Sequence, residues 1–400
     1  MKYVLFIGDG MADFPLDALG GKTPLQASRA PGMARLAGGR LFRVRTCPQG
    51  LPPGSDVAFL TLMGHDPLAC YTGRSPLEAA GEGVALGDGE VSLRVNLITV
   101  GDGGEMESYN GSGIGGADAA ALMGRLLGDA EFASLMRRAG MRVAVTDTFR
   151  HIAALPAGDA PFALTPAHDI AGQKLADHRP AGQAAELLTA LQDRAAAVLA
   201  RDPVNRGRVR RGERPANGIW FWGAGRATRL RDFQDAYGLT GAAITAVPLV
   251  RGIARLSGLC APRVPGATGE LETNYAGKAE AGLAALREGR DLALFHLEAP
   301  DDLSHLGDLP GKLEAIERFD SRIVRPVLDA LDQSGQPYRA LVMPDHYTLL
   351  STRTHDATPV PCAIYDSRSP GAPRPFTERA CEDAPVIERG GDLIDRLIGP

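Results

Sequence analysis

Lysine is nearly missing from this chain of 400 residues: Lys2, Lys22, Lys174, Lys278 and Lys312 are the only five, so 38 of the 43 basic side chains are arginine. Together with the many alanines and glycines, this bias reflects genome composition. Arginine abundance alone therefore says nothing about partners, although a particular arginine at a particular place still does. No long basic run occurs and the formal net charge is −5, which argues against nucleic acid or an anionic membrane as main partner. Cysteine is scarce as well. The five residues at 47, 70, 260, 362 and 381 are an odd number without any C-x-x-C spacing, so no disulfide framework is expected. No apolar run approaches 18 residues, so no membrane span is expected. The N-terminus runs into a strand without a charged and then apolar leader, so no signal peptide is expected. The reading is a soluble cytoplasmic protein. There is no P-loop, and Gly8-Asp9-Gly10 is not a dinucleotide fingerprint, so nucleotide binding has no motif behind it.

What is present is ample apolar material, 44% of residues, and a length that suggests two domains, one interrupting the other. Tyr3-Val4-Leu5-Phe6-Ile7 is a continuous apolar run, as expected of a strand buried on both faces of a parallel sheet. Gly8 and Gly10 give it a sharp exit. Asp9 is left at the carboxyl end, where open α/β sheets hold their ligands. A carboxylate there either caps the next helix or binds a cation.

Further strands are expected at 41–46, 219–222, 243–247, 292–297 and 340–343. Helices are expected at 31–36, from Ser55 (as N-cap) to Met63, at 274–287 and at 312–330, the last kinked by Pro326. Residues 67–83 read as a turn-rich exit from the first domain. From there the pattern changes to strands at 91–100, 142–146 and 152–155 with helices at 119–127 (Asp118 as a cap), 131–139 and 182–200. Residues 201–215 read as a basic loop leading back. The expected fold class is α/β: a mostly parallel sheet flanked by helices, formed by residues 1–77 and 211–400, with a smaller α+β domain inserted at 78–210.

Chemistry concentrates just past the strand ends. The first strand delivers Asp9, the strand ending at Leu297 is followed by Asp301 and His305, and the strand ending at Met343 by Asp345 and His346. His355 comes nine residues later. In a parallel sheet these ends share one edge, so six side chains can converge. Each has an ordinary alternative: Asp301 and His305 as a helical i,i+4 pair, Asp345-His346 as a turn, His355 as a solvated loop residue. Three of the eight histidines nevertheless fall beside acidic residues in these loops. The mixed oxygen and nitrogen set suits Mn, Zn, Fe or Mg, and its size fits two ions better than one. Ser55 then gains a second meaning. It follows a Pro-Pro-Gly loop and opens a helix, whose free amides suit a phosphoryl group, and a metal would make its hydroxyl a nucleophile. His296 reads as a packed core histidine.

IGDGMAD, GGKTPL, PPGSDVAFLTLMGHDP, YTGRSPLEAAG, TPAHDI, PANGIWFWGAG, VPGATGELETNYAGKAEA, HLEAPDDLSHLGD and PDHYTL…RTHDATPVP run from end to end of the chain. In these stretches the sequence resembles the cofactor-independent phosphoglycerate mutases of the archaeal type, in the alkaline phosphatase superfamily. The resemblance implies two divalent ions (Mn²⁺, Mg²⁺ or Zn²⁺), held by Asp9, Ser55, Asp345 and His346 on one side and by Asp301, His305 and His355 on the other. It implies that Ser55 is phosphorylated during turnover, that 3- and 2-phosphoglycerate interconvert, and that neither 2,3-bisphosphoglycerate nor nucleotide is needed. His65, Ser304 and Phe59 stand where the family more often has Tyr, Gly and Asn. The insert should then hold the substrate carboxylate and close over the site, with Arg94, Arg150, His151, His168 and Asp169 as candidates. Arg74 and Arg226 are candidates for the phosphate. The alternative is a metal-dependent phosphatase or phosphotransferase on another small phosphorylated metabolite, for example in a homoserine-kinase-like role.

Overall fold

The computed structural model describes residues 1–157, 161–182 and 184–399. They form two compact units, residues 1–71 with 229–400, and residues 72–228.

The first unit is built on a seven-stranded sheet with strands in the order 241–244, 292–297, 2–8, 338–343, 360–366, 40–44 and 386–387. The first four are mutually parallel, and only Val360–Asp366 runs against its neighbours. The apolar opening strand lies at the centre, with Ile7 beside His296 on one side and Met343 on the other. This register brings three carboxyl ends together at one edge. Helices pack both faces, and Phe6, Phe295, Phe319 and Val342 belong to a continuous core.

The second unit is a five-stranded antiparallel sheet around Glu90–Val100, which pairs with Arg150–Pro156 and with Gly218–Arg226. The helices Gly116–Gly128, Ala130–Arg138 and Ala185–Leu199 bury one face of it through Leu93, Val95, Leu122 and Leu191.

Several local expectations differ from what is found. The strand expected at 219–222 in the first domain is Gly218–Arg226, and it pairs along most of its length with Glu90–Val100. Its aromatic run encodes burial, not which sheet buries it. Residues 67–83 contain the helices Pro67–Cys70 and Arg74–Gly81, and 201–215 contains the helix Pro203–Arg210, capped by Asp202. Both stretches are too polar to show an apolar period. The expected helix 312–330 is three pieces, Leu309–Phe319, a π-turn at Asp320–Val324 and Arg325–Ser334, with Pro326 in the first turn of the last. Pro326 falls where the π-turn shifts the backbone hydrogen bonds, the Arg325 amide reaching back to the Asp320 carbonyl, and such breaks are where helices accommodate proline. Asp118 lies in the first turn of its helix rather than at the cap, which is Gly115. Gln183, at the start of the expected 182–200 helix, lies outside the described residues. Among the described residues no helix is long and apolar enough to cross a membrane.

Candidate metal centre

Asp9 leaves the central strand at a tight turn in which Gly10 takes φ +61°. A Cβ there would meet the Asp301 Cα at 2.9 Å, so glycine lets the two loops touch. Asp345 follows the neighbouring strand. The amides of Gly10 and His346 donate to its Oδ1 at 3.1 and 2.9 Å, which fixes the carboxylate and leaves Oδ2 without a partner. Asp9 Oδ1 is likewise buried without a hydrogen bond. His346 Nε2 lies 3.3 Å from Asp345 Oδ2 and 3.5 Å from Asp9 Oδ1.

Ser55 is the first residue of the helix Ser55–Leu62; the cap position is Gly54. The sequence placed Ser55 one residue too early. At the first helical position its side chain is free of capping duty, and Oγ sits 3.2 Å from His346 Nε2 and 3.5 Å from Asp9 Oδ2. The first-turn amides of that helix lack intrahelical acceptors.

Asp301 lies in the first turn of the helix Ala299–Leu306, with His305 one turn on and 3.3 Å away. His355 Nε2 is 3.3 Å from the other oxygen of Asp301. Each of these histidines has Nδ1 against a carbonyl, His305 at 2.8 Å from Arg353 and His355 at 3.2 Å from Pro53. Carbonyls only accept, so both Nδ1 atoms carry protons, and in the neutral rings both Nε2 atoms would present lone pairs. Those two Nε2 atoms are 3.0 Å apart. Two lone pairs at that distance require a cation or a proton between them.

The electrostatics make the same demand. Burial, then the nearby Asp345 and Asp301 carboxylates, push the Asp9 carboxyl well above its ordinary range. Burial also opposes ionisation of Asp301, but hydrogen bonds from His305 and His355 outweigh it and hold that carboxyl well below the usual range. Asp301 in turn pushes His305 up to about 9. Without a metal, a proton on His305 fills the gap. The donor atoms of Asp9, Asp345 and His346 lie within 4.8 Å of one another, as do those of Asp301, His346 and His355. Orphaned buried carboxylate oxygens and facing imidazole lone pairs fit divalent ions at both places.

Three contributors were not legible as site residues. His296 donates from Nε2 to Asp9 Oδ2 at 3.1 Å and is oriented by Thr245 Oγ1, 2.9 Å from Nδ1. Its ring packs edge-on against Phe59, centroids 4.9 Å apart. Thr348 joins the two halves, 3.1 Å from His346 Nδ1 and donating to Asp301 Oδ1 at 2.5 Å. Lys312 is fully buried and braces the same loop, 3.1 Å from Asp13 and 2.7 Å from the Thr348 carbonyl. The two-residue spacing of His346 and Thr348 was the available signal. His65 and Ser304 are satisfied internally, by Ser257 at 2.8 Å and by the Pro300 carbonyl at 2.6 Å.

In the second unit, Arg94 and Arg74 contact the two oxygens of buried Glu78 at 2.7 and 3.0 Å. The Arg94 guanidinium lies 4.1 Å above the Trp222 ring, which His168 meets at 5.2 Å. Burial opposes the charge on Glu78, but Arg94, Arg74 and Arg150 prevail and lower its pKa. His151 stands opposite Val95, on the helix-covered face, where burial holds it down to about 4. Arg150 and Asp169 are exposed, and Arg226 closes its strand.

A mostly parallel sheet that gathers carboxylates and imidazoles at its strand ends defines this protein as an α/β protein with a candidate site for divalent metal. Comparison with known proteins narrows this. The profile of the 2,3-bisphosphoglycerate-independent phosphoglycerate mutases matches residues 37–205. Proteins of that name from Methanosarcina acetivorans and Methanothrix thermoacetophila are 42% and 45% identical, over 100% of both chains and over 92% of this chain and 91% of the other. The PH0037 protein of Pyrococcus horikoshii has a similar structure, with TM-score 0.78, 27% identity and coverage of 99% and 96%. The cofactor-independent phosphoglycerate mutase of Thermoplasma acidophilum shares the fold at TM-score 0.60 and 22% identity, over 100% and 99%. The chain belongs to the 2,3-bisphosphoglycerate-independent phosphoglycerate mutase family.

Proposed function

We propose that this protein interconverts 3-phosphoglycerate and 2-phosphoglycerate through a phosphoserine at Ser55, with two divalent ions and without bisphosphoglycerate. The observation that carries the reading is the Ser55 hydroxyl at a helix start, 3.5 Å from the Asp9 carboxylate and 3.2 Å from His346. The family membership supports the mutase reaction.

Asp9, Asp345 and His346 with Ser55 would hold one ion, and Asp301, His305 and His355 the other. Bound there, divalent ions supply a lowered serine pKa and neutralise the phosphoryl oxygens. The remaining chemistry belongs to the chain. Ser55 Oγ attacks the substrate phosphorus in line and gives up its proton, and the glycerate hydroxyl leaves. The helix amides behind Ser55 receive the anionic group. Glycerate stays bound, reorients, and its other hydroxyl takes the phosphoryl group back. Arg74, Arg94 and Arg150 provide guanidinium groups suited to a carboxylate or phosphate. Stacking on Trp222 keeps Arg94 pre-oriented.

The test is metal-free protein reloaded with Mn²⁺ and given 3-phosphoglycerate alone, followed by ³¹P NMR. The expected result is 2-phosphoglycerate, with Ser55→Ala slowing turnover by at least about a thousandfold. Free phosphate without 2-phosphoglycerate would overturn the mutase reading in favour of hydrolysis.

A further inference from the structure

One cavity of the first unit is lined by none of the candidate metal ligands. It has a volume of about 920 Å³ and opens between the loop after the central strand and residues 374–382. That volume is in the range of small-molecule sites.

Its apolar wall is made of flat groups. Phe14 is 42% exposed, although it is a large hydrophobic residue, and its ring lies 5.4 Å from that of Tyr347. Pro359 and Pro375 extend the wall. Tyr347 itself is 5% exposed, and among the described residues its hydroxyl has no hydrogen-bond partner. It borders the cavity, with Arg43, Glu378 and Asp356 as its charged neighbours.

The rim is cationic. Among the described residues, Lys22 and Arg379 have no acidic partner, and Arg43 spends Nε on the Ala384 carbonyl without meeting a carboxylate. The acids of the wall are mostly committed. Asp13 is neutralised by Lys312, and Glu378 accepts from Thr23 Oγ1 at 2.6 Å and from the Asp13 amide at 3.1 Å. Among the described residues, Glu382 is the wall acid without a side-chain partner.

We propose that this cavity is a second ligand site, separate from the metal centre. Its occupant is a small molecule with a flat aromatic or apolar body and one anionic group, a carboxylate, sulfonate or phosphate. The flat body lies against Phe14 and Tyr347, the Tyr347 hydroxyl donates to or accepts from its polar edge, and Arg43, Lys22 and Arg379 meet the anion. Tyr347 sits between His346 and Thr348 in sequence, so occupancy is felt one residue from the metal ligands.

The probe is 8-anilinonaphthalene-1-sulfonate, an aromatic sulfonate, titrated by fluorescence into folded, Mn²⁺-loaded protein. Saturable one-site binding is expected. Phe14→Ala and Arg379→Glu, both exposed positions, should each weaken it by roughly tenfold, with circular dichroism and mutase turnover unchanged. Benzoate should compete better than inorganic phosphate if the flat body contributes as argued. Equal dye affinity in the wild type and both variants, or no saturable binding, would overturn the proposal. Phosphate competing as well as benzoate would overturn the aromatic part of it.

Discussion

Single side chains decide whether the candidate metal centre holds together. His296 makes no claim on a metal, yet its hydrogen bond sets the direction of the Asp9 carboxylate. A partner of this kind is worth one to two orders of magnitude in metal affinity. His296→Phe is therefore expected to weaken Mn²⁺ binding by about ten- to a hundredfold, read by calorimetry on apo protein. Unchanged affinity would make His296 a packing residue only, as the sequence suggested. Gly10 makes a different contribution. A side chain at φ +61° costs about 1–2 kcal/mol by itself, and here the added carbon also meets the backbone of Asp301. Gly10→Ala should lower stability by at least that amount in urea denaturation and impair metal binding with it. The six metal-ligand candidates were readable because each follows an apolar strand or sits in its exit loop. His296 was not, because a histidine inside an apolar run looks like core until its neighbour across the sheet is known.

Elements supply groups to one another at their ends. The helix Pro31–Leu36 lacks a side-chain cap of its own. Its buried first-turn amides are capped from far away in sequence by Asp320, which accepts from Gly32 at 3.0 Å and from Met33 at 2.6 Å. Asp320 opens the π-turn that breaks the expected long helix. The break thus coincides with a tertiary cap. Asp320→Ala should cost roughly 1–3 kcal/mol, since buried amides are left without acceptors; a loss below a few tenths in chemical denaturation would refute the capping role. Apolar period located the helices around this turn, but a one-residue insertion in a helix leaves the period almost intact. The helices at 74–81 and 203–210 escaped notice for the opposite reason, having little apolar face to repeat.

At the scale of the molecule, two separate cores carry two different sensitivities. In the first unit, carboxylates crowd together without enough cation, so metal should stabilise it. EDTA should lower its melting temperature, and Mn²⁺ at a hundred times its Kd should restore about 2.7 kcal/mol. No change on chelation would mean that the ligand set is satisfied without metal. In the second unit the sensitivity is to acid. The Glu78 carboxyl is held below its ordinary value of 4.5 by Arg94, Arg74 and Arg150 against the effect of burial. A depressed carboxyl stabilises the folded state above the unfolded pKa, and this is lost as pH falls through the folded one. Glu78→Gln should therefore destabilise by roughly 3 kcal/mol at pH 7, with the gap to wild type closing as pH falls below the ordinary value of 4.5. A gap independent of pH would show that packing, not charge, carries the effect.

The sequence alone determined the parallel sheet, the convergence of Asp9, Asp301, His305, Asp345, His346 and His355, and the presence of a second, differently built unit. These follow from local rules: apolar runs make buried strands, and parallel strands place their exits on one edge. Tertiary structure alone decided which sheet received Gly218–Arg226, which oxygens and ring nitrogens were left bare, that Ser55 starts its helix rather than caps it, and that Phe14 and Tyr347 wall a cavity. Each of these depends on a partner hundreds of residues away or on a single atom's direction. Local composition and period encode burial and direction of chain, not the identity of the neighbour across a sheet or a loop.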